Sequence, residues 1–151
     1  MLRNAFLPIS SIMTIVLLVT GCTTMTKHYH EIGDPNLPFI AKIRTGRANS
    51  SVVIYNSRIC EEIGKACGFF RSHAYAHFTL NHRPFLPPDH YPTGMQDEAD
   101  CWAAGHAESE QVTAAIELLR NDEAVQDLPV TGNPAKRADN IEQCARQAGN
   151  I

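Results

Sequence analysis

Apolar side chains recur at the three- and four-residue spacing of amphipathic helices in three stretches of the chain. These stretches cover residues 68–82, 96–120 and 135–148, and the middle one is the longest. Asn133-Pro134 precedes the last stretch and Gly149 follows it, and these residue types start and stop helices. The pattern therefore predicts two long helices followed by a C-terminal helix.

Two shorter stretches are rich in the β-branched and aromatic residues that favour strands. They cover residues 38–45 and 50–56, and the loop 46–49 between them contains a glycine, so we expect a β-hairpin. Residues 81–93 contain four prolines and are predicted to form a loop bordering the first long helix. Together these elements predict a mainly helical α+β domain over residues 38–151, with the hairpin packed on that helix.

The N-terminus predicts export and lipidation. Residues 1–21 carry a basic residue followed by an apolar run, which is typical of a signal peptide. The run ends in Leu18-Val19-Thr20-Gly21-Cys22, which resembles the bacterial lipoprotein signal and implies that Cys22 is acylated. By the same resemblance, Thr23 favours the periplasmic side of the outer membrane in a Gram-negative cell, and the polar residues 22–37 would be a lipidated tether. An ordinary secretory signal with a chance cysteine is the alternative.

The four cysteines beyond Cys22 favour disulfides, because an exported protein meets an oxidising environment. Three pairings are open. The short, glycine-containing stretch between Cys60 and Cys67 suits a local bridge, which would leave Cys101 to pair with Cys144. A zinc site of four thiolates is the alternative, but it lacks the C-x-x-C spacing that such sites usually show.

Charge excludes one class of partner. The 151-residue chain has 13 basic and 16 acidic side chains. Removal of the 21 signal residues, which include Arg3, leaves 130 residues with a formal charge of −4. No basic patch is interleaved with aromatic residues, so nucleic acid is not an expected partner. On the last helix, Arg137 and Asp139 are expected on a solvated or salt-bridged face.

His73 and His77 are the strongest candidates for metal ligands. Histidines four residues apart leave a helix on the same face, so two ring nitrogens can bind one ion. The spacing is that of the H-E-x-x-H zinc peptidases, but Ala74 stands where those enzymes carry the general-base glutamate. The alternative is a polar cluster in which His73, His77 and His82 hydrogen-bond to Asp100 and to the backbone.

Three segments resemble the bacterial neutral zinc metallopeptidases. Residues 70–77, Phe-Arg-Ser-His-Ala-Tyr-Ala-His, resemble their active-site helix, and residues 96–103, Gln-Asp-Glu-Ala-Asp-Cys-Trp-Ala, resemble their next motif. Residues 133–144 resemble a C-terminal helix found in some of these proteins. The resemblance spans residues 50–148 and implies a minimal zincin-like domain with zinc as its cofactor.

Matched position by position, the resemblance implies that His73 and His77 are zinc ligands and that Asp100 orients one of them. Gln96 stands in place of the third-ligand glutamate, and Ala74 in place of the general base. A neutral amide weakens zinc binding relative to a carboxylate, and general-base catalysis contributes about 10²–10⁴-fold. We therefore expect a lipid-anchored, zincin-like domain that retains zinc but has slight or no peptidase activity.

An active metallopeptidase is the alternative, and it would need substitutes for the two missing glutamates. The candidate carboxylates are Asp97, Glu98 and Glu61, and the candidate third imidazole ligands are His82 and His106. Because His82 follows His77 by five residues, about 140° around a helix, it is expected outside the ligand set. The sequence names no peptide substrate or protein partner.

Overall fold

The computed structural model describes residues 30–45, 51–82 and 86–151. The predicted signal peptide, the predicted lipidation site Cys22 and the predicted hairpin loop lie outside the described residues. Within them the chain forms the mainly helical α+β fold that its hydrophobic pattern predicts.

The sheet has three strands: β1 (His30–Gly33), β2 (Ala41–Thr45) and β3 (Ser51–Tyr55). Strands β2 and β3 pair antiparallel, as the predicted hairpin requires, and β1 pairs parallel with β3, giving the order β1-β3-β2. Strand β1 lies in the segment predicted as a tether, so the fold includes residues before 38. All four of its residues are exposed, and it therefore lacks the alternating apolar pattern that signals a strand.

The described residues contain six α-helices and a 3₁₀ turn at Pro88–His90. The helices are α1 (Ser57–Ile63), α2 (Ala66–Thr79), α3 (Thr93–His106), α4 (Ser109–Arg120), α5 (Asp122–Val125) and α6 (Pro134–Ala148). The start and end of α6 agree with the prediction, since the Asn133 side chain accepts a hydrogen bond from the Lys136 amide at 3.0 Å and Gly149 has a φ of 68°.

The prediction of one long helix over residues 96–120 is wrong, because the chain leaves the helical conformation between α3 and α4. Ala107 and Glu108 are extended, with ψ angles of 163° and 141°. The side-chain amide of Asn150 donates hydrogen bonds to the carbonyl oxygens of Ala104 and Ala107, at 2.7 and 3.0 Å. These bonds satisfy carbonyl groups at the end of α3 that lack helical partners, which stabilises the break.

The main core lies between α2, α3, α4 and α6. Its largest fully buried apolar side chains are Phe69, Val112, Leu119 and Ile141, and burial of each contributes about 1.5–3 kcal/mol. Helix α2 packs against the hairpin on one side and against α3 on the other. This arrangement places its two histidines beside α3.

Two disulfides join Cys60 to Cys67 and Cys101 to Cys144, the pairing expected from the sequence. The first links α1 to α2 and the second links α3 to α6. None of the helices in the described ranges is both long and apolar enough to cross a membrane.

Candidate metal centre

Two packed helices supply the side chains of the candidate centre. His73 and His77 lie one turn apart on α2, and Gln96 and Asp100 lie one turn apart on α3. Because residues four apart share a helix face, each pair points towards the other helix. His77, Gln96 and Asp100 are buried, and the His73 side chain is 12% exposed.

Three donor atoms converge between these helices. Nε2 of His73 lies 3.2 Å from Nε2 of His77 and 2.9 Å from Oε1 of Gln96. The Gln96 side chain is also in hydrogen-bonding contact with the His77 ring. Its Nε2 donates to the carbonyl oxygen of Pro88 at 2.7 Å, which directs the amide oxygen towards the two imidazoles.

Asp100 and Arg137 form a buried ion pair that contacts the His73 ring. Nδ1 of His73 lies 2.7 Å from Oδ1 of Asp100. Arg137 on α6 binds the same carboxylate with two nitrogens, at 2.6 and 2.8 Å. Burial raises the pKa of Asp100, but the charges of His73 and Arg137 outweigh burial and bring the pKa to about 2. Asp100 is therefore an anion that favours a proton on Nδ1 of His73.

His82 occupies the equivalent place behind His77. Helix α2 ends at Thr79, and Asn81 adopts the left-handed conformation with a φ of 58°, so the chain turns back on itself. The His82 backbone amide then donates to the His77 carbonyl at 2.8 Å, and Nδ1 of His82 lies 3.3 Å from Nδ1 of His77. Nε2 of His82 lies 2.8 Å from a carboxylate oxygen of Glu98. His82 lies outside the converging donor set, but it does so because α2 ends at Thr79 and not because of its angle on a continuous helix.

The proline-rich segment covers the centre from a third side. The Tyr91 ring stacks on the His77 ring, with centroids 3.8 Å apart and planes 14° apart. Burial raises the pKa of Tyr91 to about 12. Burial, followed by the charges of His73 and His82, lowers the pKa of His77 to about 3, so this ring is neutral at neutral pH.

When the three rings are neutral, their contacts with Asp100 and Glu98 favour particular proton positions. Asp100 favours the proton of His73 on Nδ1, and Glu98 favours that of His82 on Nε2. Nδ1 of His82 is then an acceptor, so His77 carries its proton on Nδ1. Nε2 of His73, Nε2 of His77 and Oε1 of Gln96 consequently present three lone pairs to one point. Lone pairs at this distance repel one another unless a proton or a metal cation lies between them.

Ala74, which stands where the zinc peptidases carry their general base, lies on the sheet side of α2 and not among the converging donors. Ala74 is buried in a cluster with Ile43 and Val53 of the sheet. Of the substitute carboxylates, Glu98 contacts His82 rather than the donor atoms, and Glu61 lines a separate cavity of about 320 Å³ beside α1. Asp97 lines a cavity of about 510 Å³ that includes Gln96 but neither histidine of α2.

Space at the donor atoms is small. The cavity that His73 and Gln96 share has a volume of about 30 Å³ and is also lined by residues that include Phe39, Phe70 and Arg137. A cavity of this size holds a water molecule or a metal ion, but not a peptide segment. His106, the other candidate imidazole ligand, lies at the end of α3, where its ring stacks on Trp102.

Comparisons of this chain with protein-family models, with curated proteins and with solved structures found no match. Within the described ranges, no three side chains drawn from histidine, cysteine, aspartate and glutamate form a group that could hold a metal ion. The donor set at the centre consists of two imidazoles and an amide oxygen.

Proposed function

We propose that this protein is a lipid-anchored, non-catalytic zincin-like domain that binds zinc through His73, His77 and Gln96. The observation that carries the proposal is the convergence of three donor atoms: His77 Nε2 and Gln96 Oε1 lie 3.2 and 2.9 Å from His73 Nε2. Zinc–nitrogen distances of 2.0–2.1 Å with tetrahedral angles put two ligand nitrogens about 3.3 Å apart. The spacing of the two imidazoles agrees with that value.

The donor set favours weak zinc binding. All three donors are neutral, and the one adjacent carboxylate, Asp100, is already paired with Arg137. A dication would gain no charge neutralisation from its direct ligands, whereas a glutamate at position 96 would supply one negative charge. We therefore expect Gln96→Glu to bind zinc more tightly than the wild type.

The same residues support a domain without peptidase activity. Ala74 supplies no group that could take a proton from water, and the carboxylates of Asp97, Glu98 and Glu61 lie in other contacts or cavities. The cavity of about 30 Å³ that His73 and Gln96 share is also too small to hold a peptide segment.

The test is the zinc content of the full chain after purification and dialysis at neutral pH. The wild type is expected to take up about one equivalent of zinc, and His73→Ala/His77→Ala close to none. His106→Ala is the matched control, because it removes an imidazole that lies away from the donor atoms. Equal zinc uptake by the wild type and the double variant would contradict the proposal and leave the polar-cluster interpretation in its place.

A further inference from the structure

We propose that His82 and Glu98 are positioning residues that hold the proton of His77 on Nδ1 and thereby direct its Nε2 lone pair towards the metal. The proposal rests on the proposed zinc binding, and it concerns residues that do not themselves reach the donor atoms. The geometry that supports it is a continuous chain of contacts from Glu98 through His82 to His77.

When both rings are neutral, each contact in this chain has a defined donor. Nε2 of His82 lies 2.8 Å from Oε2 of Glu98, and a carboxylate only accepts, so the His82 proton lies on Nε2. Nδ1 of His82 then accepts from Nδ1 of His77 across 3.3 Å. An imidazole with its proton on Nδ1 has its lone pair on Nε2, the atom that faces His73 and Gln96.

The backbone holds His82 in this place independently of any metal. Asn81 reverses the chain with a φ of 58°, and the His82 amide donates to the His77 carbonyl at 2.8 Å. The His82 side chain is 6% exposed, whereas that of Glu98 is 67% exposed. Glu98 can therefore be replaced with little effect on the core. A loss of zinc affinity in a Glu98 variant would then report the positioning of His77 and not unfolding of the domain.

The two histidines of α2 are oriented in different ways. His73 contacts the carboxylate of Asp100 directly, whereas His77 contacts a carboxylate only through the ring of His82. Tyr91 stacks on the face of the His77 ring, which restricts its tilt without assigning the proton. Metal ligands whose outer hydrogen-bond partners are removed typically lose about 10–100-fold in metal affinity.

The first experiment measures zinc affinity by competition with a chromophoric chelator. We expect Glu98→Ala to weaken zinc binding about tenfold and His82→Leu about 10–100-fold. His82→Asn places an amide oxygen near the position of Nδ1, so it should rescue binding to within about threefold of the wild type. Glu117→Ala, which removes an exposed glutamate of α4, is the control for loss of charge and should change nothing.

The second experiment reads the His77 proton directly, by ¹⁵N NMR of the imidazoles in the metal-free protein. The wild type and His82→Asn should carry it on Nδ1. In His82→Leu it should move to Nε2, where His73 Nε2 can accept it across 3.2 Å.

Two results would overturn the proposal: unchanged zinc affinity in both Glu98→Ala and His82→Leu, or a His77 proton on Nε2 in the wild type. Absence of zinc binding by the wild type is a different outcome. It would overturn the proposed function together with this inference, and it is recognised from the wild type alone, before any variant is compared.

Discussion

Replacing Arg137 with methionine would leave the Asp100 carboxylate buried without its guanidinium partner. The structure permits an estimate of the cost. Asp100 is fully buried, the Arg137 side chain is 8% exposed, and two hydrogen bonds of 2.6 and 2.8 Å join them. Removing one partner of such a pair costs about 3–5 kcal/mol, because the remaining charge stays buried and unpaired. At about 4 °C per kcal/mol for a domain of this size, the unfolding midpoint should fall by about 12–20 °C.

The assay is thermal unfolding and urea unfolding followed by circular dichroism, with both disulfides intact. Arg120→Met is the matched control: Arg120 binds Asp139 and Glu142 at the surface and is 45% exposed, so its loss should leave the urea midpoint nearly unchanged. Asp100→Asn/Arg137→Met should recover much of the loss, since no net charge then remains buried. An Arg137→Met variant within about 1 kcal/mol of the wild type would refute the reasoning.

Three further predictions concern other parts of the molecule. Asn150→Ala removes two hydrogen bonds to the end of α3 and should lower the free energy of unfolding by about 1–3 kcal/mol, measured in urea against Asn150→Asp, which keeps the size of the side chain. By loop entropy, opening the Cys101–Cys144 disulfide with serines should cost about 4 kcal/mol and opening Cys60–Cys67 about 2 kcal/mol; equal costs would contradict this account. Cys22→Ser should abolish incorporation of radiolabelled palmitate and release the protein from the membrane fraction, and continued labelling would disprove acylation at this residue.

The parts of the fold that local sequence predicts are those whose signals lie within a few residues. Asn133, Pro134 and Gly149 place both ends of α6, and the apolar pattern places the β2–β3 hairpin. The break after α3 depends on Asn150, more than 40 residues away, which no local pattern reveals. Strand β1 escaped prediction because its exposed residues contribute only backbone pairing to the sheet.

The candidate centre likewise contains contacts that the sequence predicts and one contact that it does not. Helical periodicity alone brings His73 to His77, and Gln96 to Asp100, so those pairs could be predicted. The contact between His82 and His77 could not be predicted, because it requires α2 to end at Thr79. The left-handed conformation of Asn81, a residue type that tolerates it, was the one available signal.

Arg137 was expected on a solvated or salt-bridged helix face. Its charge is paired as expected, but the residue is buried, because the packing of α6 on α3 places it against Asp100. No pattern within α6 alone distinguishes this arginine from its exposed neighbours.

If Cys22 carries the proposed lipid, the participation of His30–Gly33 in the sheet limits the distance between the domain and the membrane. His30 follows Cys22 by eight positions, and a fully extended chain of that length spans at most about 28 Å. A tether continuing to residue 37 would reach roughly twice as far. With its lipid on Cys22, the domain would therefore encounter only molecules that come within a few nanometres of the bilayer surface.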